Sequence, residues 1–159
     1  HLFDAMDGTP VPAGDLAAIA TLRGVHNHQN AAAAYAACRL VGLAPAEIMA
    51  AMRSFPGLPH RQFLVRAIGG VAYVNDSKAT NADAAVRALA CYRNIYWIAG
   101  GKPKAGGLDG VEAGLPHVRH AFLIGAAMDE FASWLDRRGV PHNMCGTLDV
   151  ALAQAHAMA

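Results

Sequence analysis

A short loop rich in acidic, hydroxyl and basic side chains is the segment best suited to bind an anion. It covers residues 75–81, reads Asn-Asp-Ser-Lys-Ala-Thr-Asn, and lies between an apolar run at 71–74 and a helical pattern that starts at 82. Thr80 and Asp83 have the spacing of a capping box, which predicts Thr80 as the helix cap. Free N–H groups at a helix N-terminus favour anions, and Lys78 adds a full positive charge. An ordinary capped helix with a solvated lysine is the alternative for this loop alone.

A second polar segment, residues 23–30, opens a predicted helix with the sequence Arg-Gly-Val-His-Asn-His-Gln-Asn. Asn27 and Asn30 are three residues apart, so they share one helix face. An asparagine amide can donate and accept at once, which matches the N6/N7 edge of adenine. An N-cap asparagine among solvated polar residues is the alternative. His26 and His28 point apart and lack a cysteine or carboxylate partner, so no metal site is predicted.

Two glycine-containing loops carry further cations. Residues 57–61 read Gly-Leu-Pro-His-Arg, and the Arg61 guanidinium is suited to bidentate contact with a phosphate. Residues 100–107 read Gly-Gly-Lys-Pro-Lys-Ala-Gly-Gly, a cationic loop able to hold a carboxylate. Neither loop matches the P-loop or the dinucleotide-binding pattern. Plain surface roles are the alternative for both.

Composition and charge exclude some classes of function. The formal net charge is +1 with dispersed basic residues, so no nucleic-acid partner is expected. No apolar run approaches the length needed to span a bilayer, which predicts no membrane insertion. Three cysteines without metal-ligand spacing indicate reduced thiols and a cytoplasmic location. A first residue other than methionine and a last helical pattern without a stop signal predict a piece of a longer protein.

Residues 56–59, Pro-Gly-Leu-Pro, separate a helical pattern from an alternating one and predict a domain junction. Helices are predicted before it, with a hairpin and then strands alternating with helices after it. The predicted helices are 25–40, 45–52, 82–91, 127–138 and a last one, and the predicted strands are 63–68, 71–74, 95–99, 121–124 and 143–145. Such alternation predicts an α/β fold with a doubly wound, mostly parallel sheet, which binds ligands at the carboxyl ends of its strands.

These segments together resemble the ATP-dependent Mur ligases of peptidoglycan synthesis. Residues 24–33 are similar to the Gly-x-His-Asn-x-x-Asn-Ala helix start that several members share. Residues 57–61 and 75–81 are more specific, because they resemble the branch that adds D-glutamate, and Gly100-Gly101 followed by Lys104 agrees with it. The similarity runs from about residue 22 to the end of the chain.

The resemblance implies that this chain is part of a ligase that joins D-glutamate to UDP-N-acetylmuramoyl-L-alanine through an acyl phosphate. It implies that residues 1–58 form the helical tail of a central ATP-binding domain and that 59–159 form an incomplete, Rossmann-like amino-acid-binding domain. ATP and Mg²⁺ are the implied cofactors, with the metal ligands and P-loop outside this segment, and a monomer is the implied state. The implied roles are adenine, phosphate and ribose binding for Asn27, Asn30, Arg61 and Asp76, catalysis for Arg61 and Lys78, and D-glutamate binding for Ser77, Lys78, Thr80 and Lys104.

Some features depart from the family pattern, and two other functions stay open. Gln62 and Phe63 stand where a glutamate often follows, and Lys102 replaces an aspartate of some relatives, so no role is assigned to these residues. This segment alone is expected to have no ligase or ATPase activity. The alternatives are a non-catalytic α/β binding module, or a sibling ligase that adds a different amino acid.

Overall fold

A computed structural model describes all residues, 1–159, and divides them into two compact units. The first unit contains residues 1–66 and 74–76, and the second contains 67–73 and 77–159. The division passes through a β-hairpin and not through the proline-rich segment at 56–59. The assignment of 1–58 and 59–159 to two functional domains therefore stays a prediction.

The first unit combines a short hairpin with two helices. Strands β1 (Leu2–Asp4) and β2 (Val11–Gly14) pair antiparallel, and two 3-10 turns lead to helices α1 (Val25–Leu40) and α2 (Pro45–Ser54). Helix α1 has the bounds that its sequence predicts, because Gly42 ends it with a φ of 91°. The N–H of Leu43 bonds the Cys38 carbonyl at 3.2 Å, which completes a Schellman motif. The core consists of Leu2, Leu16, Ile19, Ala31, Tyr35, Ile48 and Met49.

Strands β3 (Phe63–Ile68) and β4 (Val71–Asn75) form a two-stranded sheet of their own. Gly69 and Gly70 connect them with φ values of 58° and 86°, as a tight hairpin turn requires. Their pairing confirms the predicted hairpin. Strand β4 is not part of the parallel sheet, because the two-residue connection pairs it with its antiparallel neighbour β3.

The second unit contains a parallel sheet with helices on both faces. Its elements are α3 (Ala82–Leu89), β5 (Ile95–Gly100), the 3-10 helix Glu112–His117, β6 (Val118–Ile124), α4 (Met128–Asp136), β7 (His142–Gly146) and α5 (Leu148–Met158). The strand order is β5-β6-β7, and both pairs are parallel. This arrangement confirms the predicted α/β class.

Alternate residues of the central strand β6 serve the two faces of this sheet. Ala121 and Leu123 are fully buried in one core with Leu89 of α3 and Leu135 of α4. Phe122 is fully buried on the opposite side, against α5. A strand buried on both faces is typical of parallel sheets. The carboxyl ends of β5, β6 and β7 therefore lie along one edge, where the loops after them are presented.

Candidate functional site

At the start of α1, the two predicted adenine-binding asparagines differ in their exposure and in their contacts. Gly24, with a φ of 93°, is the N-cap residue, so the alternative of a cap asparagine is wrong. Asn27 is half-buried, and its amide nitrogen donates a hydrogen bond to the Arg23 carbonyl at 2.8 Å. Asn30, one turn later, is exposed. The backbone contact orients the Asn27 amide, while Asn30 is accessible to a ligand.

The Arg61 turn has an unusual backbone. His60 and Gln62, on either side of Arg61, have φ values of 64° and 45°, which non-glycine residues seldom adopt. The Arg61 N–H donates to the Leu58 carbonyl at 3.2 Å, and the Arg61 side chain is exposed. Such strained conformations cluster at ligand-binding sites. The turn thus presents a guanidinium group on a defined backbone.

Asp76 is tied to this turn. Its Oδ1 accepts a hydrogen bond from the Gln62 N–H at 3.0 Å. Burial raises the pKa of Asp76 above the usual aspartate value, although the Gln62 N–H and the charges of Arg61 and His26 oppose that shift. The structure thereby brings the predicted residues Arg61 and Asp76 together within the first unit.

Gln62 and His26 complete this cluster, and sequence reasoning assigned neither of them a role. The Gln62 Nε2 and the His26 Nε2 lie 3.2 Å apart. The Gln62 Oε1 is buried and has no hydrogen-bond partner. A buried acceptor without a donor is costly. No sequence signal pointed to Gln62, because its contacts are to residues 36 and 14 positions away.

The residue that caps the helix after the loop at 75–81 differs from the predicted one. Asn81, in an extended conformation, is the N-cap of α3, and its side chain accepts the Ala84 N–H at 2.8 Å. The predicted Thr80–Asp83 capping box is therefore wrong by one residue. Asparagine is the stronger N-cap residue of the two, and its use leaves the Thr80 side chain exposed.

The loops around Thr80 and Lys104 meet. The Lys104 Nζ donates a hydrogen bond to the Thr80 carbonyl at 2.7 Å. Ser77 and Lys78 are exposed in the same loop as Thr80. Two of the four predicted D-glutamate-binding residues are thus in direct contact, and all four are accessible from solvent.

Glycines at the carboxyl edge of the parallel sheet are a feature that the sequence analysis used only in part. A glycine ends or follows each strand: Gly100 for β5, Gly125 for β6 and Gly146 for β7. A Cβ on Gly100 would lie 1.9 Å from the Ile124 carbonyl oxygen, and its φ is 147°. Close backbone approach therefore requires glycine here. The glycine after each of the predicted strands 95–99, 121–124 and 143–145 was the available signal.

The fold defines the class of protein. The solved structure of UDP-N-acetylmuramate–alanine ligase from Thermotoga maritima matches with a TM-score of 0.65 and 18% identity, covering 79% of this chain and 30% of that one. This likeness shows the fold, which is that of a segment of a Mur ligase. No protein-family model matches the chain.

The sequence comparison points to one branch of that class. Ligases named UDP-N-acetylmuramoylalanine–D-glutamate ligase match 98% of the chain at 54% identity in Rhodospirillum rubrum and 99% at 52% in Rhizobium etli. The one from Ruegeria pomeroyi is 49% identical over the whole chain. The chain covers 32%, 33% and 34% of these relatives, so it spans about a third of their length. The resemblance to the Mur ligases is confirmed.

Two features, a membrane-spanning helix and a cluster of metal ligands, are absent from the described residues, which are the whole chain. No helix is long and apolar enough to cross a membrane. No group of three or more histidine, cysteine, aspartate or glutamate side chains is arranged to hold a metal ion.

Proposed function

We propose that this chain is part of an ATP-dependent ligase that joins D-glutamate to UDP-N-acetylmuramoyl-L-alanine. The observation that carries the proposal is the match of nearly the whole chain, at about half identity, to ligases named for that reaction. The reaction forms an acyl phosphate on the alanine carboxylate, and the amine of D-glutamate displaces the phosphate. A location in the cytoplasm belongs to the same proposal, because none of the three cysteines forms a disulfide bond, which suits a reducing compartment. A monomer is proposed with it.

The cluster around Asp76 fits the nucleotide. Asn30 and Asn27 offer amides that can pair with adenine, and Arg61 offers a guanidinium for phosphate. Asp76 can accept hydrogen bonds from ribose hydroxyls, and burial raises its pKa above the usual aspartate value. ATP supplies the phosphoryl group when bound. Mg²⁺ belongs to the proposal through ligands outside this chain.

The loops at 75–81 and 100–107 fit a small dicarboxylate. Lys104 and Lys78 provide positive charge beside the exposed N-terminus of α3, and Thr80 and Ser77 provide hydroxyl groups. The hydrogen bond from the Lys104 Nζ to the Thr80 carbonyl brings the two loops together. In the ligation step, these residues would orient the D-glutamate amine, and Lys78 and Arg61 would stabilise the charge that builds up on phosphate.

Substitution of Lys104 tests the proposal in the full-length protein. Lys104→Ala and Thr80→Ala are expected to raise the KM for D-glutamate, in the case of Lys104 by about tenfold to a hundredfold, because a hydrogen bond between charged groups is lost. Asn30→Ala is expected to raise the KM for ATP instead. Steady-state phosphate release with each substrate varied in turn measures both constants.

Lys102→Ala is the matched control, because Lys102 is an exposed lysine of the same loop with no assigned role. It should leave both constants unchanged. Equal D-glutamate saturation for Lys104→Ala and wild type would contradict the assignment of this loop. ATP turnover by the 159-residue chain alone would contradict the expected dependence on residues outside it.

A further inference from the structure

The loop that carries Lys104 is long and rich in glycine, yet its second half is fixed. Successive turns close it, with the Gly107 N–H bonding the Lys104 carbonyl at 3.0 Å and the Asp109 N–H bonding the Gly106 carbonyl at 2.8 Å. Leu108 is buried in the sheet core, only 5% exposed. Lys104 itself is exposed, and the contact of its Nζ is with the Thr80 carbonyl. The position of the ammonium group therefore depends on what holds the rest of the loop.

A buried tryptophan holds it on helix α4. The Trp134 Nε1–H donates a hydrogen bond to the Asp109 Oδ1 at 2.8 Å, and Trp134 is 5% exposed. The Arg138 guanidinium carbon lies 3.6 Å from the Trp134 ring centroid, in cation–π geometry. The indole is thus held by its neighbours, and its single donor is aimed at the loop.

Two further contacts lie beside this hydrogen bond. Glu112 accepts the Gly110 N–H at 2.9 Å and pairs with the Arg138 Nη2 at 2.6 Å, so the end of the loop is tied to the residue that stacks on Trp134. Gly107 has a φ of 49°, and a Cβ there would lie 2.3 Å from the Glu130 Oε1 of α4. The loop backbone at Gly107 therefore lies against the Glu130 side chain of α4.

We infer that Trp134 and Asp109 are positioning residues for Lys104, acting through the glycine-rich loop on the binding of the amino-acid substrate. This inference rests on the proposed function. A lysine on a flexible loop loses much conformational freedom when it binds a carboxylate, and anchoring the loop beforehand reduces that loss. Loss of the anchor should therefore weaken D-glutamate binding and leave the nucleotide cluster of the first unit unaffected.

Trp134→Phe is the sharpest test, because it removes the Nε1–H and keeps an aromatic ring for Arg138. In the full-length protein, the KM for D-glutamate is expected to rise about five- to tenfold, as for a lost hydrogen bond to a charged group, with the KM for ATP unchanged. Asp109→Ala should have the same effect, and Asp109→Asn, which keeps the acceptor, should restore a KM close to wild type. Ser133→Ala, on the same helix but bonded only to the Asp129 carbonyl, is the matched control.

A second measurement follows the loop itself. In the 159-residue chain, amide hydrogen exchange at residues 104–110 should accelerate about tenfold in Trp134→Phe and Asp109→Ala, without a similar change in strand β6. A fall in melting temperature with an unchanged KM for D-glutamate would overturn the inference and leave the proposed function standing. A wild-type full-length protein that does not ligate D-glutamate would overturn both.

Discussion

Two aspartates of the first unit differ in how completely their charge is satisfied. Asp4, 5% exposed, accepts hydrogen bonds from the Tyr35 hydroxyl at 2.7 Å, the Arg39 Nε at 2.6 Å and the Met6 N–H at 2.9 Å. Asp76 accepts a hydrogen bond from the Gln62 N–H. The pKa of Asp4 is lowered, chiefly by the Met6 N–H and the Tyr35 hydroxyl, whereas burial raises that of Asp76.

The difference separates a carboxylate that stabilises the fold from one that we propose contacts the nucleotide. Asp4 has a donor or a cation on every side, so its charge stabilises the fold around β1 and α1. Asp76 is partly removed from water without equivalent compensation, and the neighbouring Gln62 Oε1 has no partner at all. Incomplete satisfaction of buried polar groups is typical of ligand-binding sites, where the ligand supplies the missing contacts.

The largest expected effect is at Asp4. Asp4→Asn leaves the Arg39 guanidinium without its buried anion and should lower the melting temperature of the chain by about 10 °C. Asp7→Asn is the matched control, because Asp7 is 95% exposed and lies 3.8 Å from the Arg39 Nη2. Thermal unfolding followed by circular dichroism measures both. A similar loss for the two variants would show that Asp4 is not the better satisfied carboxylate.

Asp76→Asn should act in the opposite direction on stability. The neutral amide avoids the cost of burying a charge and can still accept the Gln62 N–H, so the melting temperature should rise slightly. The KM for ATP in the full-length protein should increase about tenfold, because a charged acceptor for hydroxyl groups is lost. Asp83→Asn, at an exposed aspartate of α3, is the control. A destabilised Asp76→Asn variant would assign Asp76 to the structural class with Asp4.

The two aspartates should also differ in how they respond to low pH, and this is the smallest of the expected effects. The pKa of Asp76 is raised, so on acidification it takes up a proton before an ordinary aspartate does, and the KM for ATP should rise a few-fold as pH falls towards 4. Because the pKa of Asp4 lies below 3.8, its stabilising contribution is present above that value and is lost only as pH falls through the lowered pKa.

The pH dependence is read from the difference between wild type and Asp76→Asn, since titration of ATP affects both equally. Thermal unfolding over the same pH range reports on Asp4. An ATP KM that changes in parallel in the two proteins would show that Asp76 does not contact the nucleotide.

Local sequence determined most of the elements. The alanine-rich run closed by Gly42 set the bounds of α1, and Gly69-Gly70 set the β3–β4 turn, because helix ends and tight turns depend on residues a few positions apart. Sequence motifs also pointed to Arg61, Asp76, Thr80 and Lys104, whose roles stay predictions. The cap of α3 was misplaced by one residue, because the capping-box spacing of Thr80 and Asp83 favoured Thr80 over Asn81, which is the stronger N-cap residue.

Only the tertiary structure decided which side chains meet. The contacts of Gln62 with His26, of Lys104 with Thr80 and of Trp134 with Asp109 join residues 36, 24 and 25 positions apart. The strand order β5-β6-β7 also depends on the path of the whole chain, because these parallel strands are joined through intervening helices. The sequence by itself determined the residue types available for binding and the helices and strands that present them. The tertiary structure determined their burial, and with it the opposite pKa shifts of Asp4 and Asp76, because the free energy of a charge depends on every group packed around it.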